Sequence, residues 1–258
     1  MNSNPQDGTS VKKYGLALHT ASRELGLAIS NFAGDSRCKT WNLDRDLATH
    51  LHQYLVEFIG PQTWADLAFI AVAKGPGGFT GTRMGMVTAR TLAQQLDIPV
   101  FAISTLAAVA WAQPPPAKGL LELEPPQPPL GKGGLLSAEP PVAKGGLLSA
   151  QPPVAKEGLL SIALQMPAQR GQLFGAVYSV NKDSGLTELF PDTVMTAESW
   201  QEKLESWENS YQLIEVGSEL GWSVSSVLEL AYLEWKQGSR PDWSGALPFY
   251  GQHPVKGH

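Results

Sequence analysis

A single cysteine, Cys38, occurs in 258 residues. No intramolecular disulfide can staple the chain, and a Cys-x-x-Cys metal clamp is ruled out. Charge is also scarce: 17% of residues carry it, the net charge is −5 and the sequence pI is about 5.5. A free-standing nucleic-acid binder normally shows a basic domain or stripe, and none is present. That balance still admits a chain that touches RNA only within a complex. No apolar run approaches the roughly 20 residues that span a bilayer. The opening "MNSNPQDGTSVKKYG" lacks the apolar core of a signal peptide. The expectation is a soluble cytoplasmic protein with no membrane partner. No G-x-S-x-G elbow occurs, and Cys38 has no Lys or His placed beside it by sequence, so a buried or edge thiol is expected rather than a nucleophile.

With 43% hydrophobic residues, a sizeable core can form. "YGLALHTA" and "ELGLAISNF" read as hairpin partners, and "RCKTWNL" as a third strand. The period then changes. In "DRDLATHLHQYLVEFIG", Leu47, Leu51, Leu55, Phe58 and Ile59 share one helical stripe, with Asp44 as a candidate cap and Gly60-Pro61 as the stop. "LAFIAVA" has the continuous apolar form of a central strand. After it come a glycine-rich stretch, a helix over Thr82 to Leu96, the strand "IPVFAIS" and a short apolar helix. A second set follows further on: "LLSIALQMP", "GQLFGAVYSV", a turn at Asn181 to Gly185, "LTELF", a helix in "TAESWQEKLESW", the strand "YQLIEVG" and a helix in "SVSSVLELAYLEWKQG". Mixed strands followed by strand–helix–strand crossovers point to an α/β fold.

Between the two sets the composition breaks. "KGGLLSAEPPVA", "KGGLLSAQPPVA" and "KEGLLS" start at Lys132, Lys144 and Lys156, and eleven of the twenty prolines lie between Pro114 and Pro153. A unit so rich in proline and glycine cannot carry an α-helix. It reads as a solvated linker or expanded loop with polyproline character. The expected division is a leader over 1–13, a first half over 14–112, a low-complexity insert over 113–160 and a second half over 161–258.

"GPGGFTGTRMG", Gly75 to Gly85, holds five glycines in eleven residues between a strand and a helix. A phosphate cradle would need backbone N–H groups converging at the helix N-terminus. No Lys-Ser/Thr pair follows Gly81, and Thr80 occupies the last glycine position of a G-x-G-x-x-G reading. The plainer reading is a strand-to-helix turn whose glycines allow close backbone contact while Phe79 plugs into the core.

"VAKGPGGFTGTRMGMVTARTLAQQLDIPVFAISTLAA" resembles the signature segment of the bacterial tRNA threonylcarbamoyladenosine biosynthesis protein TsaB (YeaZ) family: G-P-G-S-F-T-G-x-R-x-G, a helix, and a strand ending in S-T-L. "LALHTASRELGLAIS", "RGQLFGAVYS", "LIEVGSELG" and "LPFYGQHPV" resemble further segments of it, so the likeness covers all but the leader and the insert. The resemblance implies two RNase-H-like halves with mixed sheets, as in the actin, Hsp70 and sugar kinase group. Enzymes of that group hold Mg-ATP through carboxylates at the end of the first strand in each half. Here those positions are His19 and Met166-Pro167-Ala168. A metal-bound triphosphate needs hard oxygen ligands, so ATP turnover by this chain alone is not expected.

The resemblance implies a non-catalytic subunit that supports a metal-bearing paralogue, which transfers threonylcarbamoyl to adenosine 37 of tRNA. A small pathway ATPase joins them, and tRNA is met only through the complex. No cofactor is expected on this chain; ATP and metal are expected in the partner subunits. The family uses the two helices of the first half for self-association as a homodimer and for the paralogue. That places the candidate interface on Leu47, Leu51, Leu55, Arg83, Met84, Met86, Ala89, Arg90 and Ala93. The glycine turn itself, Gly75, Pro76, Gly77, Gly78, Phe79, Thr80 and Gly81, is a candidate vestigial nucleotide loop. The paralogue's metal motif is a helical H-x-x-x-H; His50 and His52 stand two apart and do not face one site. His19, next to a strand end, reads as a satisfied core histidine in preference to a polar group at a vestigial cleft. Two rivals are an ATP-binding enzyme of the actin and sugar kinase group, using "GPGGFTG" and "GSELG" as its loops, and a glycoprotease-type peptidase, which would need a metal motif or nucleophile.

Overall fold

The computed structural model describes residues 13–113, 161–181 and 185–251. The leader up to residue 12, the repeat insert from 114 to 160, the residues 182–184 of the expected turn and the last seven residues lie outside these. Among the described residues no helix is long and apolar enough to cross a membrane.

Among the described residues, nine strands form two sheets. The first has the order β3-β2-β1-β4-β5, built from β1 (Tyr14–His19), β2 (Glu24–Ser30), β3 (Ser36–Asn42), β4 (Leu67–Ala73) and β5 (Val100–Ile103). β1, β2 and β3 make an antiparallel meander, while β4 runs parallel to β1, and β5 to β4. The second sheet, β8-β7-β6-β9, repeats this design. β6 (Ser161–Pro167), β7 (Gln172–Asn181) and β8 (Gly185–Thr196) form the meander, and β9 (Tyr211–Glu215) is parallel to β6. This is the mixed α/β pattern of two RNase-H-like halves.

The helices sort by face. Leu16 and Leu18 of β1 pack under α1 (Leu47–Ile59) and α2 (Phe79–Leu96), whereas Ala17 between them faces α3 (Thr105–Ala112) and α5 (Val224–Lys236). That alternation is the period-2 signature of a strand covered on both sides. The α3 and α5 face continues into the second sheet through Ile162, Leu164, Phe174 and Tyr178. At this junction the Tyr178 hydroxyl donates to Asp192 Oδ1 at 2.7 Å and lies 3.3 Å from the Ser104 hydroxyl that caps α3. Burial raises the Asp192 carboxyl above the usual carboxylate range. α4 (Ala197–Glu205) covers the far side of the second sheet with Trp200 and Leu204.

Three local expectations need correction. α2 begins at Phe79, not Thr82, because the chain enters helical geometry directly after Gly78. Asp44 does not cap α1: it has φ 42° and opens a short 3-10 turn over Asp44–Asp46, and no side chain caps the helix that follows. Phe79 does not plug the core. Its ring is 43% exposed and lies 4.7 Å from that of Tyr250, in the closing segment described as far as Gly251.

Candidate functional site

The glycine stretch is a packing device. A Cβ at Gly77 would stand 2.2 Å from the Ala21 carbonyl oxygen, one at Gly81 2.1 Å from that of Thr20, and one at Gly85 2.1 Å from Thr20 Oγ1. These three glycines, four residues apart, let the start of α2 lie on the β1–β2 turn. Gly78 N–H donates to the Ala21 carbonyl at 2.7 Å, and Thr20 Oγ1 donates to the Gly81 carbonyl at 2.8 Å. Gly75 alone in the stretch has positive φ, at 95°, and its carbonyl accepts from Thr105 N–H at 2.9 Å. Thr20 and Ala21 are thus pressed directly against the turn. "GSELG" is likewise used internally: Gly221 N–H donates to Glu24 Oε2 at 2.9 Å, and Leu220 N–H to Ser22 Oγ at 3.3 Å.

By docking α2 at this angle, the turn sets its distance from α1. Leu47, Leu51 and Leu55 of α1 and Met86, Ala89 and Ala93 of α2 point down into the sheet, packed against Leu16, Leu18 and Ile29. These candidate interface positions are therefore part of the chain's own core, and Met86, Ala89 and Ala93 are 1%, 0% and 0% exposed. Arg90 is not on the groove either; its guanidinium carbon sits 5.8 Å from the Trp243 ring centroid. Arg83 and Met84 do line the open side, with Leu51 and Leu55 at its floor.

That open side is an apolar groove of about 550 Å³ running between the two helices. Its rims carry Val56, Val87 and Phe79, which are 63%, 55% and 43% exposed. Val56 and Val87 were not singled out from the sequence, and Phe79 was read as a core plug and part of the glycine turn rather than as a groove residue. The available signal was a second stripe at helical spacing: Ala48, His52 and Val56 on α1, and Phe79, Arg83, Val87 and Thr91 on α2. Apolar residues on the face opposite a complete core stripe have no work in the monomer.

The positions where the resemblance puts Mg-ATP carboxylates carry no carboxylate in this chain. Met166 is buried among apolar side chains, Pro167 is exposed and Ala168 half-buried. His19 is 0% exposed, and neither ring nitrogen has a hydrogen-bond partner. This corrects the expectation of a satisfied core histidine. Burial pushes its pKa from 6.5 down to about 4, opposed only in part by its own backbone, so the imidazole is neutral at physiological pH. Below pH 6.5 the unfolded chain's imidazole binds a proton that the folded one refuses until about pH 4. Stability is therefore full above pH 6.5 and lost as pH falls through that window, by about 3 kcal/mol from this group. In urea titrations across the window, His19→Leu should remove this slope and be the more stable protein at pH 5. An unchanged slope would mean that His19 is solvated.

His50 lies 5.9 Å from the Tyr54 ring, while His52 lines the groove. Cys38 is exposed on β3, the edge strand of the first sheet. Among the described residues no group of three or more His, Cys, Asp or Glu side chains could hold a metal.

Comparison with known proteins agrees with this architecture. Residues 59–125, which include the glycine turn and α2, match the family described as TsaD: tRNA N6-adenosine threonylcarbamoyltransferase. The tRNA threonylcarbamoyladenosine biosynthesis protein TsaB of Bacillus subtilis (strain 168) is 56% identical over 45 residues, 17% of this chain and 20% of that protein. TsaB of Buchnera aphidicola subsp. Schizaphis graminum is 48% identical over 48 residues, 19% and 23% of the two chains. The matched stretch thus spans about a fifth of the length of these relatives. In structure, YeaZ from Pseudomonas aeruginosa aligns with a TM-score of 0.60 at 18% identity, over 92% of this chain and 99% of that one. A second Pseudomonas aeruginosa chain, an uncharacterized protein with similarity to peptidase YEAZ, gives 0.63 at 18% identity, over 93% and 99%.

The fold is accordingly that of YeaZ, an α/β protein of two RNase-H-like halves. The stretch at the glycine turn narrows the likeness further: it is the part of the chain that is similar to the TsaB proteins of Bacillus subtilis and Buchnera aphidicola.

Proposed function

We propose that this chain is a non-catalytic subunit in the biosynthesis of N6-threonylcarbamoyladenosine at position 37 of tRNA. It binds the metal-bearing, threonylcarbamoyl-transferring paralogue through the groove between α1 and α2. A small pathway ATPase completes the assembly, tRNA is contacted within it, and a second copy of the chain competes for the same face. The carrying observation is the groove itself. Three apolar side chains stand exposed on its rims, and among the described residues Arg83 and His52 are the only ionisable groups lining it. Exposed apolar surface of this kind marks a protein contact more often than chance decoration. A buried His19 where the resemblance puts a carboxylate, and a glycine turn packed against Thr20 and Ala21, support the non-catalytic reading.

The test mixes the purified chain with the paralogue of the same organism and measures mass by light-scattering chromatography, then modification of tRNA with and without this chain. A stable complex and a modification rate that depends on this chain are expected. ATP turnover by the chain alone, with no complex, would instead favour the kinase-like enzyme.

A further inference from the structure

We infer that Arg37, on the edge strand β3 and outside the groove, is the residue that holds the groove's α1 wall in its binding geometry; the inference rests on the partner-binding reading above. α1 ends in an unusual way. Gly60 after it is extended, with ψ 144°, so no left-handed glycine closes the last turn, and the turn holds no basic residue of its own. The exposed carbonyls are met from another element. Arg37 Nη2 lies within hydrogen-bond distance of the carbonyl oxygens of Phe58, Ile59 and Gly60, at 2.9, 2.8 and 2.9 Å, its two hydrogens shared among the three. Its guanidinium carbon also lies 5.2 Å from the Phe58 ring centroid. A cation at a helix C-terminus satisfies those carbonyls and complements the dipole there.

The anchor is rigid. β3 pairs with β2 along all seven of its residues, and Arg37 stands opposite Ile29, a buried core residue. From the adjoining loop, Asp35 Oδ2 accepts from Tyr14 Oη at 2.7 Å and from Gln62 Nε2 at 3.1 Å, tying down the chain just past the helix. The turn so held carries Val56, the most exposed apolar side chain on the groove. Arg37 therefore acts on a partner through α1, not by touching it.

Binding of the paralogue would be measured by titration calorimetry for Arg37→Met, which keeps the apolar stem over Phe58 and removes charge and donors, and for Arg37→Lys. The expectation is about tenfold weaker binding for the Met variant, near recovery for Lys, and faster hydrogen exchange at the amides of Phe58 and Ile59 with the melting temperature little changed. In a Val56→Ala background the Arg37→Met effect should shrink to about twofold or less, because the turn then presents less to the partner. Equal losses in both backgrounds would mean direct contact or a distant effect, and would overturn the inference. No loss from Arg37→Met, while Val87→Asp still breaks the complex, would overturn it and leave the groove reading standing. If neither variant weakens binding, both readings fall together.

Discussion

Val87→Asp should abolish the complex with the paralogue while leaving the isolated chain as stable as before. Val87 is 55% exposed on the middle of α2, so the monomer loses little apolar burial and only a few tenths of a kcal/mol in helix propensity. In a complex the same position faces an apolar groove from which water is expelled. An unpaired carboxylate there costs several kcal/mol, and a loss of affinity of about 100-fold or more follows. Arg83 lies one helical turn before it and could pair with the new carboxylate, but such i, i+4 pairs contribute only about 0.3–0.5 kcal/mol. The measurement is calorimetric affinity alongside a thermal melt. Unchanged affinity would place the partner on another face and remove the main support for the groove.

Gly81→Ala should act in the opposite way, through the fold itself. Its Cβ would lie 2.1 Å from the Thr20 carbonyl oxygen, a backbone atom that cannot swing aside as a side chain could. Relief requires α2 to lift from the β1–β2 turn, which also breaks the Thr20–Gly81 hydrogen bond and opens the packing of Met86, Ala89 and Ala93 on the sheet. Overpacking at such a point costs about 3 kcal/mol, outweighing the fraction of a kcal/mol that alanine gains over glycine in a helix. Gly217→Ala is the matched control. Nothing lies within 4 Å of a Cβ there and its φ is ordinary, so a change within about 0.5 kcal/mol is expected. Denaturant midpoints compare the two. Equal, small effects would show that α2 is seated less tightly than the geometry states, and the glycines would then need another role.

Much of this was legible before any packing was known. The leucine stripe of α1 is the stripe that is buried, and the apolar run from Leu67 to Ala73 is a central strand covered on both faces. The glycine segment was recognisable because close approach of two backbones permits no other residue, so its spacing survives as a pattern. The site was less legible. Gly85, Ala89 and Ala93 look like a docking stripe because small residues suit any close helix contact, and nothing local says whether the neighbour is another chain or the protein's own sheet. His19 looked like an ordinary core histidine; only its surroundings reveal that both nitrogens are unpartnered. Arg37 gave no signal at all, since its three carbonyl partners lie 21 to 23 residues away.

The division follows from the range of the forces involved. Helical and strand periods, the broken composition of the repeat region and the glycine spacing are written in neighbouring residues, and they were enough for the α/β architecture and the family resemblance. Which apolar side chains remain uncovered is a remainder, fixed only when every other contact has been made. Val56, Val87 and Phe79 are exposed because α1 and α2 spend their other faces on the first sheet, and the gap between them is set by Thr20 pressing on Gly81 and Gly85. That is a balance of long-range contacts, and only the folded chain displays it.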